Sequence, residues 1–137
     1  MKMLHVVMSL ILASILSCMV AIAAPPMPND VQMTQPNPSL PKELTDFWGK
    51  WEGNLEVSGR MEEFCLIVEK IDEEKATLYI YRRDVGWLRY EAKVSKEKEQ
   101  YKLSYLGRTG WNELILKGEY LDLHVHPRGT ARLRRVP

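Results

Sequence analysis

Cysteine, histidine and phenylalanine are scarce in this chain: 137 residues hold two, three and two of them. Cys18 lies inside an N-terminal apolar run, so once that run is removed Cys65 has no partner for an intramolecular disulfide. An odd cysteine in an exported protein flags an intermolecular partner. Cys65 stands in Phe64-Cys65-Leu66-Ile67-Val68, however, where a thiol serves as a small buried hydrophobe. A fold without a covalent staple must bury its surface efficiently, which favours a closed architecture.

An excess of either charge is also missing. The 19 basic residues face 18 acidic ones, and loss of residues 1 to 23 takes one lysine and no acid, leaving 18 of each. Such a balance argues against nucleic acid or an anionic membrane as principal partner. No serine or cysteine motif accompanies the histidines, so nucleophilic catalysis finds no support. The chain is expected to be no enzyme and to carry no cofactor.

What is present begins with Lys2, an apolar stretch from Leu4 to Ala23, and the ending Ala21-Ile22-Ala23-Ala24-Pro25. Those features predict a secretory signal peptide over 1–23, cut after Ala23 because a cut after Ala24 would leave Pro25 directly beyond the bond. Two alternatives stay open: an uncleaved anchor, since some twenty apolar residues span a bilayer, and lipidation of Cys18 in Ile15-Leu16-Ser17-Cys18, which loosely resembles a bacterial lipobox. The protein is expected to be periplasmic or secreted, and at a membrane only through one of these alternatives. Residues 24–43 hold six of the eight prolines and no apolar period, which predicts a disordered or extended linker.

From residue 44 to 137 the pattern is that of a single β domain. Trp51, Gly53, Leu55 and Val57 alternate with Glu52, Asn54, Glu56 and Ser58, the period of a strand with one buried face. Further runs over 63–71, 76–82, 87–95, 100–106, 112–117, 120–126 and 130–136 are separated by turn-forming or charged breaks. Eight short strands at even spacing predict an all-β, antiparallel, up-and-down barrel. Only Pro41 to Trp48 offers a short helical turn.

A helical lead followed by Gly49-x-Trp51 at the first strand resembles the lipocalin or calycin signature. That resemblance implies a tryptophan closing one barrel end, with a basic residue of the last strand across its ring. Arg132 and Arg134 are the expected partners, Ala131 and Leu133 lying on the opposite face. The stretches Trp48 to Gly53, Leu66 to Ile71 and Ala131-Arg132-Leu133-Arg134-Arg135 are also similar to small exported bacterial barrels of lipocalin-like type without assigned activity. The second lipocalin motif, a Thr-Asp-aromatic turn late in the barrel, is missing, and no helix is expected after the last strand.

An eight-stranded barrel has an interior just wide enough for its own side chains or one small ligand. Tyr79, Tyr81, Trp87, Tyr90, Tyr101, Tyr105 and Trp111 are candidates for lining such a site, apolar in body with polar tips for orientation. Tyr79 shares a face with Tyr81, and Tyr101 with Tyr105, while Leu78 and Ile80 compete from the opposite face. His124 and His126 are weak metal candidates. They follow Asp122 at i+2 and i+4, but the outer two of the three would stand roughly 13 Å apart on a strand. The expectation is a non-enzymatic exported barrel that binds a small apolar or amphipathic ligand. A protein-binding module using its N-terminal arm like a barrel protease inhibitor is the alternative, and a metal enzyme using His124 and His126 a remote one.

Overall fold

The computed structural model describes residues 25–137. The expected signal peptide and Cys18 lie outside the described residues, among which no helix is long and apolar enough to cross a membrane. A short helix α1 (Lys42–Thr45) leads into eight strands: β1 (Gly49–Val57), β2 (Arg60–Ile71), β3 (Lys75–Arg82), β4 (Gly86–Glu97), β5 (Gln100–Leu106), β6 (Trp111–Lys117), β7 (Tyr120–Val125) and β8 (Gly129–Val136). Each strand pairs antiparallel with the next, and β1 pairs with β8, so the sheet closes as an up-and-down barrel. Closure gives the first and last strands a partner on both sides.

The alternation that predicts the strands also fixes the two faces of the wall. Register aligns Trp51 with Leu66, Leu66 with Ile80, and Leu78 with Tyr90, so these side chains share the inner face. Leu103, Leu114, Leu121, Leu123 and Leu133 continue that face around the other half, all fully buried. The middle of the barrel is thus filled with leucine, each worth about 1.5–3 kcal/mol on burial. One irregularity shapes the outer wall: β2 bulges between Val68 and Lys70, so Glu69 has no partner across on β3.

Topology gives the barrel two unlike ends. At the first, α1 and the turns β2–β3, β4–β5 and β6–β7 gather, and Leu44 and Phe47 insert into the core. At the second lie the turns β1–β2, β3–β4, β5–β6 and β7–β8. The wall is uneven there: β4 is laddered to β5 only from Lys93 to Glu97, and its first half pairs with β3 alone.

Candidate functional site

The stretch from Phe47 to Gly53 closes the first end. Phe47 and Trp51 are both buried, and the indole Nε1 of Trp51 donates to the Phe47 carbonyl at 2.9 Å. The cation above Trp51 is Arg135, its guanidinium 4.4 Å from the ring centroid. The same guanidinium donates to the carbonyl of Trp48 at 2.6 Å and to that of Asp46. Arg132 and Arg134, expected in this role, stand on the outer face instead: Arg132 pairs with Asp122 at 2.8 Å and covers the ring of Tyr120. The reason is the period of two. Leu133 points inward, so Arg132 and Arg134 must point outward, and Arg135 returns to the side of Trp51, its register partner.

Gly49 is required where it stands. Its φ of +127° suits glycine, and a Cβ there would come within 2.7 Å of the Arg135 guanidinium.

The tyrosine and tryptophan candidates divide between the two faces. Tyr90, Tyr101 and Tyr105 face inward, with the rings of Tyr90 and Tyr105 packed 5.1 Å apart beside the unpaired half of β4. Burial pushes the Tyr105 hydroxyl well above its ordinary titration range, although the Asn112 side chain opposes the shift. Asn112, the one buried polar residue among those described, accepts the His126 backbone N–H at 3.0 Å and so ties the β5–β6 hairpin to the β7–β8 turn. Tyr79, Tyr81, Trp87 and Trp111 do not line the interior. Leu78 and Ile80 occupy the inner face of β3, since they have no hydroxyl to desolvate, and Tyr79 and Tyr81 are turned outward. Trp111 is exposed on the outside of β6.

On that outer wall the proline-rich segment, expected to be disordered or extended, is extended and docked. Val31 is buried against Ile67 and Tyr79, with Met33 and Trp87 alongside. The bulge residue Glu69 anchors it: its carbonyl accepts from Thr34 N–H at 3.1 Å, and its carboxylate accepts from Gln32 N–H at 2.8 Å. The indole of Trp48 donates to the same carbonyl at 3.1 Å, and the indole of Trp87 donates to the Pro26 carbonyl at 2.9 Å. A bulge frees backbone groups from the ladder, and here they hold the arm.

Between arm and wall runs a cleft of about 280 Å³, lined chiefly by Met27, Cys65, Ile67, Trp87 and Val136. Lys50 and Glu52 stand at its border. Cys65 forms part of its floor, and desolvation, reinforced by Glu63 and Glu52, pushes the thiol up to about 11. A thiol so placed is a poor nucleophile, because the thiolate is the reactive form. Apart from Trp87, no motif marks the cleft residues as a site, yet the sequence carries a signal for them. Phe64 to Val68 is apolar without alternation, the mark of a strand covered on both faces.

The histidines do not come together as ligands. His124 is exposed on the outer face of β7, opposite Glu113 and Thr130, and β7 ends at Val125, which places His126 in the following turn. Among the described residues no three His, Cys, Asp or Glu side chains are grouped so as to hold a metal ion.

Comparison with protein-family models, with curated proteins and with solved structures returns no match for this chain.

Proposed function

We propose that the protein is an exported, non-enzymatic barrel of lipocalin-like kind that binds a small apolar or amphipathic molecule in the cleft beneath its N-terminal arm. The observation that carries this reading is the cleft itself. It is concave and mostly apolar, it is framed by a tryptophan, and Lys50 and Glu52 at its border offer polar partners. The leucine-filled middle of the barrel makes the outer wall the better host than the interior. The calycin-like part of the reading is supported by the closed eight-stranded barrel and by an arginine of the last strand over the tryptophan of the first.

The alternative of an arm that reaches into a partner's active site has less support, because Val31 and the bonds to Glu69 engage the arm on its own barrel. Titration with N-phenyl-1-naphthylamine, a neutral apolar fluorophore, tests the proposal. Binding is expected to shield Cys65 from alkylation and to weaken about tenfold in Trp87→Ala, the loss of a stacking surface being worth roughly 1.4 kcal/mol. A probe that binds with equal strength to Trp87→Ala and leaves Cys65 alkylation unchanged would remove the cleft from consideration.

A further inference from the structure

The balanced net charge conceals a segregation along the barrel axis. At the second end, residues 58–62, 82–86, 106–110 and 126–129 carry five arginines, Arg60, Arg82, Arg83, Arg108 and Arg128, against two acids, Glu62 and Asp84. Each of the four turns holds at least one arginine and none holds a lysine. At the first end, residues 41–50, 71–75, 96–100, 117–120 and 134–137 carry eight acids against eight basic residues. The choice of cation is informative, since a guanidinium forks onto a phosphate through two N–H groups, whereas an ammonium acts as a point charge.

The same four-turn end gathers most of the exposed large apolar side chains. Met61 is 64% exposed, Val85 46%, Leu106 59% and Trp111 56%, and Leu106 and Trp111 are cross-strand partners on the outer face of the β5–β6 hairpin. The turns are also tied to one another. Asp84 of the β3–β4 turn lies 3.9 Å from Arg108 of the β5–β6 turn, and the Thr109 hydroxyl donates to the His126 carbonyl of the β7–β8 turn. Arginines interleaved with an exposed tryptophan and aliphatic tips, on a linked set of turns, form a surface suited to the headgroup layer of a bilayer. There the guanidinium groups meet phosphate and the apolar tips reach the acyl boundary.

We propose that the four-turn end of the barrel is a docking surface for an anionic phospholipid membrane, with Arg60, Arg83, Arg108 and Arg128 on the phosphates and Trp111 and Leu106 inserted between headgroups. The first end, with its charges balanced, then points away from the bilayer. This surface is independent of the cleft, because no residue of the cleft takes part. It also replaces the expectation drawn from net charge, which averages over the two ends.

The test is sedimentation of the chain from Pro25 onward with phosphatidylcholine vesicles, made with or without phosphatidylglycerol, while tryptophan emission is followed with brominated lipid in the wild type and in Trp111→Phe, the difference reporting Trp111. Binding is expected only with phosphatidylglycerol, falling as salt is raised and accompanied by quenching. The combined variant Arg60→Gln, Arg83→Gln, Arg108→Gln and Arg128→Gln should lose about 50-fold or more in affinity. Leu106→Ser with Trp111→Ser, at two exposed positions, tests the apolar half separately and should weaken binding about tenfold. Wild-type affinity in either folded variant overturns the proposal. So does full competition by millimolar inorganic phosphate, which would indicate a site for the free ion, or capture by dextran sulfate with no vesicle binding, which would indicate a polyanion surface.

Discussion

Replacing Arg135 by methionine removes a cation from the Trp51 ring and two donors from the Trp48 and Asp46 carbonyls, while leaving an aliphatic stem in place. The ring interaction contributes about 0.5–1 kcal/mol at a solvent-facing site. Each charge-assisted hydrogen bond adds about 1 kcal/mol after a discount for the exposure of Arg135. The total of about 2.5–3 kcal/mol corresponds to a fall in melting temperature of about 10–24 °C for a domain of this size class. Arg134→Met makes the same change of charge one residue away, on the outer face, and should stay within about 0.5 kcal/mol of wild type. Arg135→Lys keeps the charge but not the fork, so it should fall between them. Calorimetric melts of the three variants decide the matter. Equal losses at 134 and 135 would refute the reasoning, because net charge rather than the closure over Trp51 would then be what stabilises the barrel.

Trp51→Ala should cost about 3–5 kcal/mol, since it empties the buried end of the core, and urea melts should show it as a lowered midpoint. Cys65 holds its proton up to about 11, against an ordinary 9.0, so its alkylation by iodoacetamide near pH 8 should run about 100-fold slower than that of a free thiol. The raised value carries a stability consequence of definite sign. The neutral thiol suits the fold below pH 9, and that contribution is lost as pH rises through about 11, a loss that Cys65→Ala should abolish. Asp72 accepts N–H bonds from Glu74 and Lys75 at 2.8 and 2.9 Å, which lowers its titration below the usual aspartate range, so carboxyl NMR should find its midpoint below that of an aspartate in a short model peptide. Gly107→Ala would drive a Cβ into the Asn112 amide nitrogen. It should therefore break the link to His126 and cost about 1–3 kcal/mol in a melt.

The sequence and the structure agree most closely where alternation is clean. Trp51 to Val57 and Leu121 to Val125 carry one apolar and one polar face, and the period of two leaves a single way to orient them. On β3 both faces are apolar in body, so periodicity alone does not separate Leu78 and Ile80 from Tyr79 and Tyr81. The choice rests on where the tyrosine hydroxyls find polar company, a matter of tertiary arrangement. The docking of the arm is equally hidden: Val31 and Met33 are lone apolar residues among prolines and amides, and they gain meaning only against Ile67 and Tyr79. Arg135 is legible in principle, because the same alternation that turns Arg132 and Arg134 outward leaves it as the residue beside Trp51. The gathering of arginines at one end needs the topology, since Arg60, Arg83, Arg108 and Arg128 are widely spaced in the chain.

The half-ladder of β4 gives the cylinder a seam. Between Gly86 and Ala92 the strand bonds to β3 on one side only, and the packed rings of Tyr90 and Tyr105 act as the clasp across the gap. A barrel with a seam opens there first. Amide protons along that stretch should exchange ahead of those in β7, and a foreign strand seeking an edge to extend would find it here. Arg89 and Glu91, alternating outward along the same stretch, put opposite charges on the path of such an addition.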